Sequence, residues 1–323
     1  MHQTFPWPRI AVHGAGAVGC YYGAMLAEAG APVTLIARPE RARAIAANGL
    51  LFDSAGRQRR IPIAATDDVE AVRDAELVLF CVKSQDTDAS AVRLAPLLAD
   101  EAVLVSLQNG VGNAQALRDA GIDAMASVVY VAASMPGPDH LAHAGRGDLV
   151  LGEIAGPLPG VARRPDRVAW VAALCERAGI RCATPSDVRV ELWMKLIINC
   201  CYNAISALGR ARYGQMMALP PVRELMRGVV AECETIARAD GIELPDTEAL
   251  YVMADRVGEA MTLATSSTSQ DLERGRSTEI DALNGYVCRR GAALGIPTPL
   301  NNALFALVKL LELRLAPPAE RQG

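Results

Sequence analysis

Continuous apolar runs alternate with helical patterns through the first half of the chain, and beyond about residue 185 only helical patterns remain. The runs "RIAVH" (9–13), "PVTLIA" (32–37), "ELVLFCV" (76–82) and "AVLVSL" (102–107) lack the polar alternation of a half-exposed strand. They predict strands of a parallel sheet covered on both faces. Helical stretches lie between them. "AVGCYYGAMLAEAG" (17–30) and "RPERARAIAANG" (38–49) each stop on a glycine, a common C-terminal signal. Residues 50–65 read as an irregular hairpin around "DSAG", and residues 126–153 as further strands. A helix near 165–178 and the short strand "IRCAT" complete this half.

In the second half, Ser186 is placed to cap a helix that begins at Asp187 and carries "LWMKLIINCCYNAISAL" (192–208). Helical period continues over 220–241, 246–264, 277–295 and 300–315. This order predicts an α/β fold: a doubly wound, Rossmann-type sheet over residues 1–185, then an all-helical domain over 186–323. The ends, 1–7 and 316–323, read as loose.

Composition narrows the partners. A chain of 323 residues, 51% hydrophobic and 21% charged, suits a soluble protein of two domains. A net charge of -4 argues against nucleic acid or an anionic membrane as partner. No run of about 18 apolar residues predicts a membrane span. The eight cysteines form no CxxC pair and several sit in apolar runs, as reduced thiols of a cytoplasmic protein do. His140 and His143 form an HxxH without nearby partner ligands, so they read as ordinary loop histidines and no metal is expected.

"VHGAGAVG" sets Gly14, Gly16 and Gly19 in a GxGxxG pattern between the first strand and the first helix. Glycines there permit a tight turn, close approach of backbone to a pyrophosphate, and close helix–strand packing. The helix N-terminus adds free N–H groups and partial positive charge. At the end of the second strand, "TLIARPER" places Arg38 where an NAD site usually has an acid. A guanidinium clamps a 2′-phosphate that a carboxylate would repel, so the expected cofactor is NADPH. The alternative is a solvated helix-start arginine; Arg41 either assists or faces water. Lys83, in "FCVKSQD", and Gln108, Asn109 and Gly110, in "VSLQNGVG", follow two further strands, where open α/β sheets bind ligands.

Lys195, Asn199 and Asn203 are spaced four apart in a segment otherwise apolar on every side, and Ser206 falls near the same line. Four residues advance a helix by about 400°, so the three share one face. A pair with Glu191 one turn earlier accounts for the lysine but leaves both amides idle. A desolvated lysine loses pKa and suits proton transfer to a developing alkoxide. In "SSTSQDLERGRSTEID" (266–281), Thr278 and Asp281 match a capping box. That leaves Glu279 open between a first-turn acid and a catalytic one.

The chain resembles the ketopantoate reductase (2-dehydropantoate 2-reductase) family along nearly its whole length. The resemblance rests on "GAGAVG", the arginine after the second strand, "VKSQD", "LQNGVGN", "WMKLIINCCYN" and "SSTSQDLERGRSTEID". It implies a Rossmann domain joined to a helical domain like that of 6-phosphogluconate dehydrogenase, and NADPH-dependent reduction of ketopantoate to D-pantoate on the way to pantothenate. It further implies Lys195 as proton donor, with Glu279 as its acidic partner. Asn199, Asn203 and Ser267 map onto substrate-binding positions. Gly14, Gly16, Gly19, Arg38, Lys83 and Asn109 map onto cofactor-contacting ones. The chain departs from the family pattern at Ser84, Gln85 and Asp86, at Cys20 and at His13. The alternatives are a paralogous reductase of another 2-oxoacid, or a non-catalytic NADPH sensor, which would not need Lys195, Glu279 and Ser267 together. An apolar helical domain is able to support a homodimer, and no sequence feature decides it.

Overall fold

The computed structural model describes residues 6–315. Contacts group them in two units: unit 1 runs to Gln108 and resumes over Asn113–Val188, and unit 2 comprises Asn109–Gly112 and the chain from Arg189 on. The sequence boundary at 185 leaves the four residues Asn109–Gly112 in the first domain; the contacts assign them to the second unit.

Unit 1 is built on one mixed sheet. Its strands are β1 (Ile10–His13), β2 (Val33–Ile36), β3 (Leu50–Ser54), β4 (Arg57–Ile61), β5 (Ala64–Thr66), β6 (Leu77–Phe80), β7 (Val103–Ser106), β8 (Met125–Gly137), β9 (His140–Gly152) and β10 (Cys182–Ala183). They lie in the order β4-β3-β9-β8-β7-β6-β1-β2-β5, with β10 beside β9. The β1, β2, β5, β6, β7 and β8 neighbours pair in parallel; β3–β4 and β8–β9 are antiparallel hairpins. The helices are α1 (Ala17–Glu28), α2 (Pro39–Asn48), α3 (Thr87–Leu94), α4 (Asn113–Asp119) and α5 (Arg167–Arg177).

The continuous apolar runs serve two cores at once. Ile10 and Val12 of β1, Leu77 and Leu79 of β6, and Val103 and Val105 of β7 enter one core with α1 and α5. Ala11, Val78, Phe80 and Leu104 enter the other, with Ala91 and Leu94 of α3 and Leu117 of α4. Period-two side-chain alternation therefore buries both faces, which is why no polar alternation shows in these strands. Polar residues instead fill the edge strand β4, whose Arg57, Gln58, Arg59 and Arg60 are exposed. Charges along an edge discourage pairing with another chain.

Unit 2 is helical: α6 (Val188–Gly209, shared at its first residue with unit 1), α7 (Tyr213–Ala218), α8 (Pro220–Ala239), α9 (Thr247–Ala260), α10 (Ser267–Glu273), α11 (Asn284–Leu294) and α12 (Pro299–Leu315). α6 contributes Trp193, Leu196, Ile197, Cys200, Cys201 and Tyr202 to the core. Glu232 of α8 accepts the N–H groups of Leu300 and Asn301, capping α12 from across the core, and Asn284 donates to Asn301 and to the Cys200 carbonyl. These bonds satisfy buried polar groups that would otherwise be costly.

Several expectations need correction. The helix expected over 277–295 is interrupted: a 3-10 turn at Ile280–Ala282 precedes α11. The Thr278/Asp281 capping box does not form, because Glu312 accepts both the N–H and the hydroxyl of Thr278, and Asp281 pairs with Lys309. α7 and α10 are helices the sequence pattern did not reveal. His140 and His143 lie on strand β9, not in a loop. Trp7, expected in a loose end, packs on the core beneath the Arg177 guanidinium, which lies 3.7 Å from the indole centroid, and Pro6 before it is exposed; residues 1–5 and 316–323 lie outside the described residues.

Candidate active site

In unit 1, the turn from β1 to α1 is shaped by its glycines. Gly14 has φ +97°, and a Cβ there would lie 2.6 Å from the Val82 backbone nitrogen. Gly19 is pressed onto the loop: a Cβ would lie 2.6 Å from the Gly14 carbonyl oxygen. Gly16 differs, since a Cβ there would meet nothing within 4 Å. Gly14 and Gly19 are thus required by the fold, whereas the room beside Gly16 is what a pyrophosphate approaching the N-terminus of α1 would use.

Arg38 is exposed at the N-cap of α2, and its side chain makes no hydrogen bond or ion pair among the described residues. Its guanidinium is free to take an anion. Arg41 does not simply face water: it donates to the Ala15 carbonyl of the glycine loop at 3.0 Å and to Pro138 at 3.3 Å. Lys83 caps the short turn after β6 and is half-buried. Gln108, at the end of β7, is occupied structurally. It donates to Thr87 and to the Val82 carbonyl and accepts from Ser106, while Asn113 donates to Ser84. This buried network ties the ends of β6 and β7 together; Thr87 and Asn113 carry no sequence signal that would have singled them out.

His13 ends β1 immediately before Gly14. The residue is 8% exposed and neither ring nitrogen has a hydrogen-bond partner. Its ring centroid lies 5.5 Å from that of Phe80. Burial, with a smaller contribution from the Arg93 charge, pushes the imidazole pKa down to about 4.

In unit 2, Lys195 Nζ donates to Asn109 Oδ1 at 2.8 Å, and Asn109 Nδ2 donates to Glu279 Oε2 at 3.1 Å. A lysine only donates and a carboxylate only accepts, so one orientation of the amide satisfies both. Lys195 and Glu279, 84 positions apart in the chain, are thereby held on the two ends of one side chain. Asn203 is 4% exposed, Asn199 half-buried, and neither amide is hydrogen-bonded among the described residues. Neither amide is shut away from solvent, so both are open to water or a ligand. Ser266 and Ser267 divide their roles. Ser266 is buried, caps α10 and donates to the Asn203 carbonyl, whereas Ser267 is exposed. Ser206, on the same helical line as Lys195, donates to Ala211 and accepts from the Ser266 N–H.

The family model for ketopantoate reductase PanE/ApbA matches residues 10–156, and the model for the ketopantoate reductase PanE/ApbA C terminal matches residues 187–312. A 2-dehydropantoate 2-reductase of Archaeoglobus fulgidus is 31% identical over 94% of this chain and 98% of its own. Among solved structures, a PanE/ApbA family ketopantoate reductase from Ralstonia eutropha is 46% identical, with TM-score 0.86 over 95% of this chain and 99% of its own. A D-mandelate dehydrogenase solved with NADH and anilino(oxo)acetate shares the fold at TM-score 0.87 and 22% identity, over 95% of this chain and 99% of its own. No helix among the described residues is long and apolar enough to cross a membrane.

Proposed function

The chain belongs to the ketopantoate reductase family PanE/ApbA, a family of oxidoreductases, and on that premise we propose that it reduces ketopantoate to D-pantoate with NADPH. The observation that carries this reading is the hydrogen-bonded line Lys195–Asn109–Glu279. A carbonyl reductase needs a proton donor at the oxygen and a polar partner that fixes it, and this line supplies both.

The residues of unit 1 fit a dinucleotide. The open flank of Gly16 admits a pyrophosphate at the N-terminus of α1, and the unpaired Arg38 takes a 2′-phosphate. Lys83 adds positive charge at the same strand ends. When bound, the nicotinamide supplies hydride to the C2 carbonyl carbon.

Lys195 then donates its Nζ proton to the C2 oxygen. In its charged form it stabilises negative charge as that charge develops. Asn109 accepts from Lys195 and so holds the ammonium in place, while its own N–H group keeps Glu279 oriented. Glu279 accepts the hydroxyl of the substrate. Asn199 and Asn203, one and two turns along α6 from Lys195, orient the small acid through their unbonded amides, and Ser267 contributes its exposed hydroxyl. The protein acts in the cytoplasm, in pantothenate synthesis.

Steady-state oxidation of NADPH by ketopantoate, with NADH in parallel and a panel of branched 2-oxoacids, tests the proposal. Turnover of ketopantoate with kcat/KM favouring NADPH is expected. Preference for another 2-oxoacid would assign the chain to a paralogous activity. Preference for NADH would remove the role given to Arg38.

A further inference from the structure

Glu279 is half-buried between two buried neighbours, Thr278 and Ile280. Its side chain is held by Asn109. Its backbone is held from another element. Glu312, on α12, accepts the N–H and the hydroxyl of Thr278 on one carboxylate oxygen, each at 2.7 Å. The other oxygen lies 2.7 Å from Lys309 Nζ, one turn back along the same helix. Lys309 also reaches Asp281 Oδ2 at 2.9 Å. Residues 278 and 281, on either side of Glu279, are thus tied to one pair of charges on α12.

The two arms differ in strength. Lys309 and Asp281 are well exposed, and an exposed ion pair contributes little. The bonds from Thr278 are another matter. Thr278 is 2% exposed and the Glu312 side chain 14%, so a charged acceptor meets two donors away from bulk water. Loss of the carboxylate would leave a buried N–H and a buried hydroxyl unsatisfied.

This capture shapes the chain at Glu279. The Thr278 hydroxyl oxygen also accepts the Ile280 N–H at 3.2 Å, and the 3-10 turn Ile280–Ala282 follows. Glu279 occupies the N-cap of that turn, with φ -99° and ψ 21°. Backbone angles restrict the rotamers open to a side chain, so the same bonds aim the carboxylate. Misplacement of a reacting or binding group by about 1 Å can cost about a hundredfold in rate.

We propose that Glu312 is a positioning residue of the reaction, seconded by Lys309: it fixes the backbone from Thr278 to Asp281 so that Glu279 meets the substrate hydroxyl. The role rests on the one given to Glu279 under the proposed function. Glu312 acts through Glu279 and not on the substrate.

The test is a double-mutant cycle on kcat/KM in the full-length protein, with ketopantoate or whichever branched 2-oxoacid is turned over fastest. Glu312→Ala should lower kcat/KM about tenfold or more, with NADPH affinity unchanged by fluorescence titration. Glu312→Gln, whose amide oxygen still accepts from Thr278, should recover most of the loss. In protein already carrying Glu279→Ala, the further change Glu312→Ala should cost no more than about twofold. If Glu312→Ala does not fold, Thr278→Val, which removes one of the two donors, serves in the same cycle. An equal loss with and without Glu279 would overturn the proposal, because a weakened fold costs activity whichever carboxylate is present. Wild-type kcat/KM in Glu312→Ala, beside an impaired Glu279→Ala, would overturn it while sparing Glu279. Full activity in Glu279→Ala would overturn the role given to Glu279, and that of Glu312 with it.

Discussion

Lys195 and Asn109 are 86 residues apart in the chain, yet Lys195 Nζ lies 2.8 Å from Asn109 Oδ1 within unit 2. The amide is committed at its other end to Glu279. Asn109 is therefore bound to the proposed proton donor and its acidic partner, in addition to any contact it makes with cofactor.

Removal of either residue should separate chemistry from binding. Lys195→Ala should lower kcat about a hundred- to ten-thousandfold, and near-normal turnover would end its role as proton donor. Asn109→Ala should lower kcat less, about ten- to a hundredfold, because the lysine remains but is misplaced. NADPH affinity, measured by fluorescence titration, should fall less than kcat in Asn109→Ala. A large loss of affinity with kcat intact would make Asn109 a cofactor contact alone.

Gly14 and Gly16 should fail in different ways. Gly14→Ala forces a side chain into left-handed backbone and against the Val82 nitrogen, so the melting temperature should fall sharply. Gly16→Ala meets no protein atom within 4 Å. Its melt should stay near wild type while NADPH binding weakens. A strong loss of stability in Gly16→Ala would show that the open flank is needed for folding rather than for phosphate.

Arg38→Ala should weaken NADPH binding about ten- to a hundredfold and leave NADH nearly untouched, since only one of the two carries the phosphate that the guanidinium would bond. Titration of both nucleotides against both proteins gives the ratio directly. Equal loss for the two would make Arg38 a general electrostatic contribution.

His13 should make stability depend on acid. Its pKa in the folded protein is about 4, below the ordinary value of 6.5, so between these values the unfolded chain binds more protons. Stability therefore falls as pH drops through this window, by at most roughly 3 kcal/mol from this group. His13→Phe removes the titration and two unbonded nitrogens. Urea melts from about pH 7 down to about pH 4.5 should show the variant gaining on wild type as pH falls. Parallel curves would mean that the imidazole is solvated or paired after all.

Much of this was legible in the sequence because the physics acting was local. A strand buried on both faces must be apolar throughout, and Ile10–His13 and Leu77–Phe80 are nearly so. The stripe Lys195, Asn199, Asn203 needs only helical geometry to be seen. What escaped was decided across the chain. The break before α11 follows from Glu312 capturing Thr278, 34 residues away. The helices α7 and α10 span 6 and 7 residues, too short for a period to emerge. The role of Gln108 within a buried network, and the bridge made by Asn109, both depend on partners brought in by folding.

The excursion of Asn109–Gly112 out of unit 1 bears on how such a protein can be recombined. A relative's helical half grafted on at residue 188 would bring its own lysine and glutamate but would inherit the bridging asparagine from its host. The fit is steric as well as polar, for a Cβ on Gly112 would fall 2.9 Å from the Tyr286 ring. Inheritance of the second unit is thus split between two stretches of the gene, and a working chimera must exchange both.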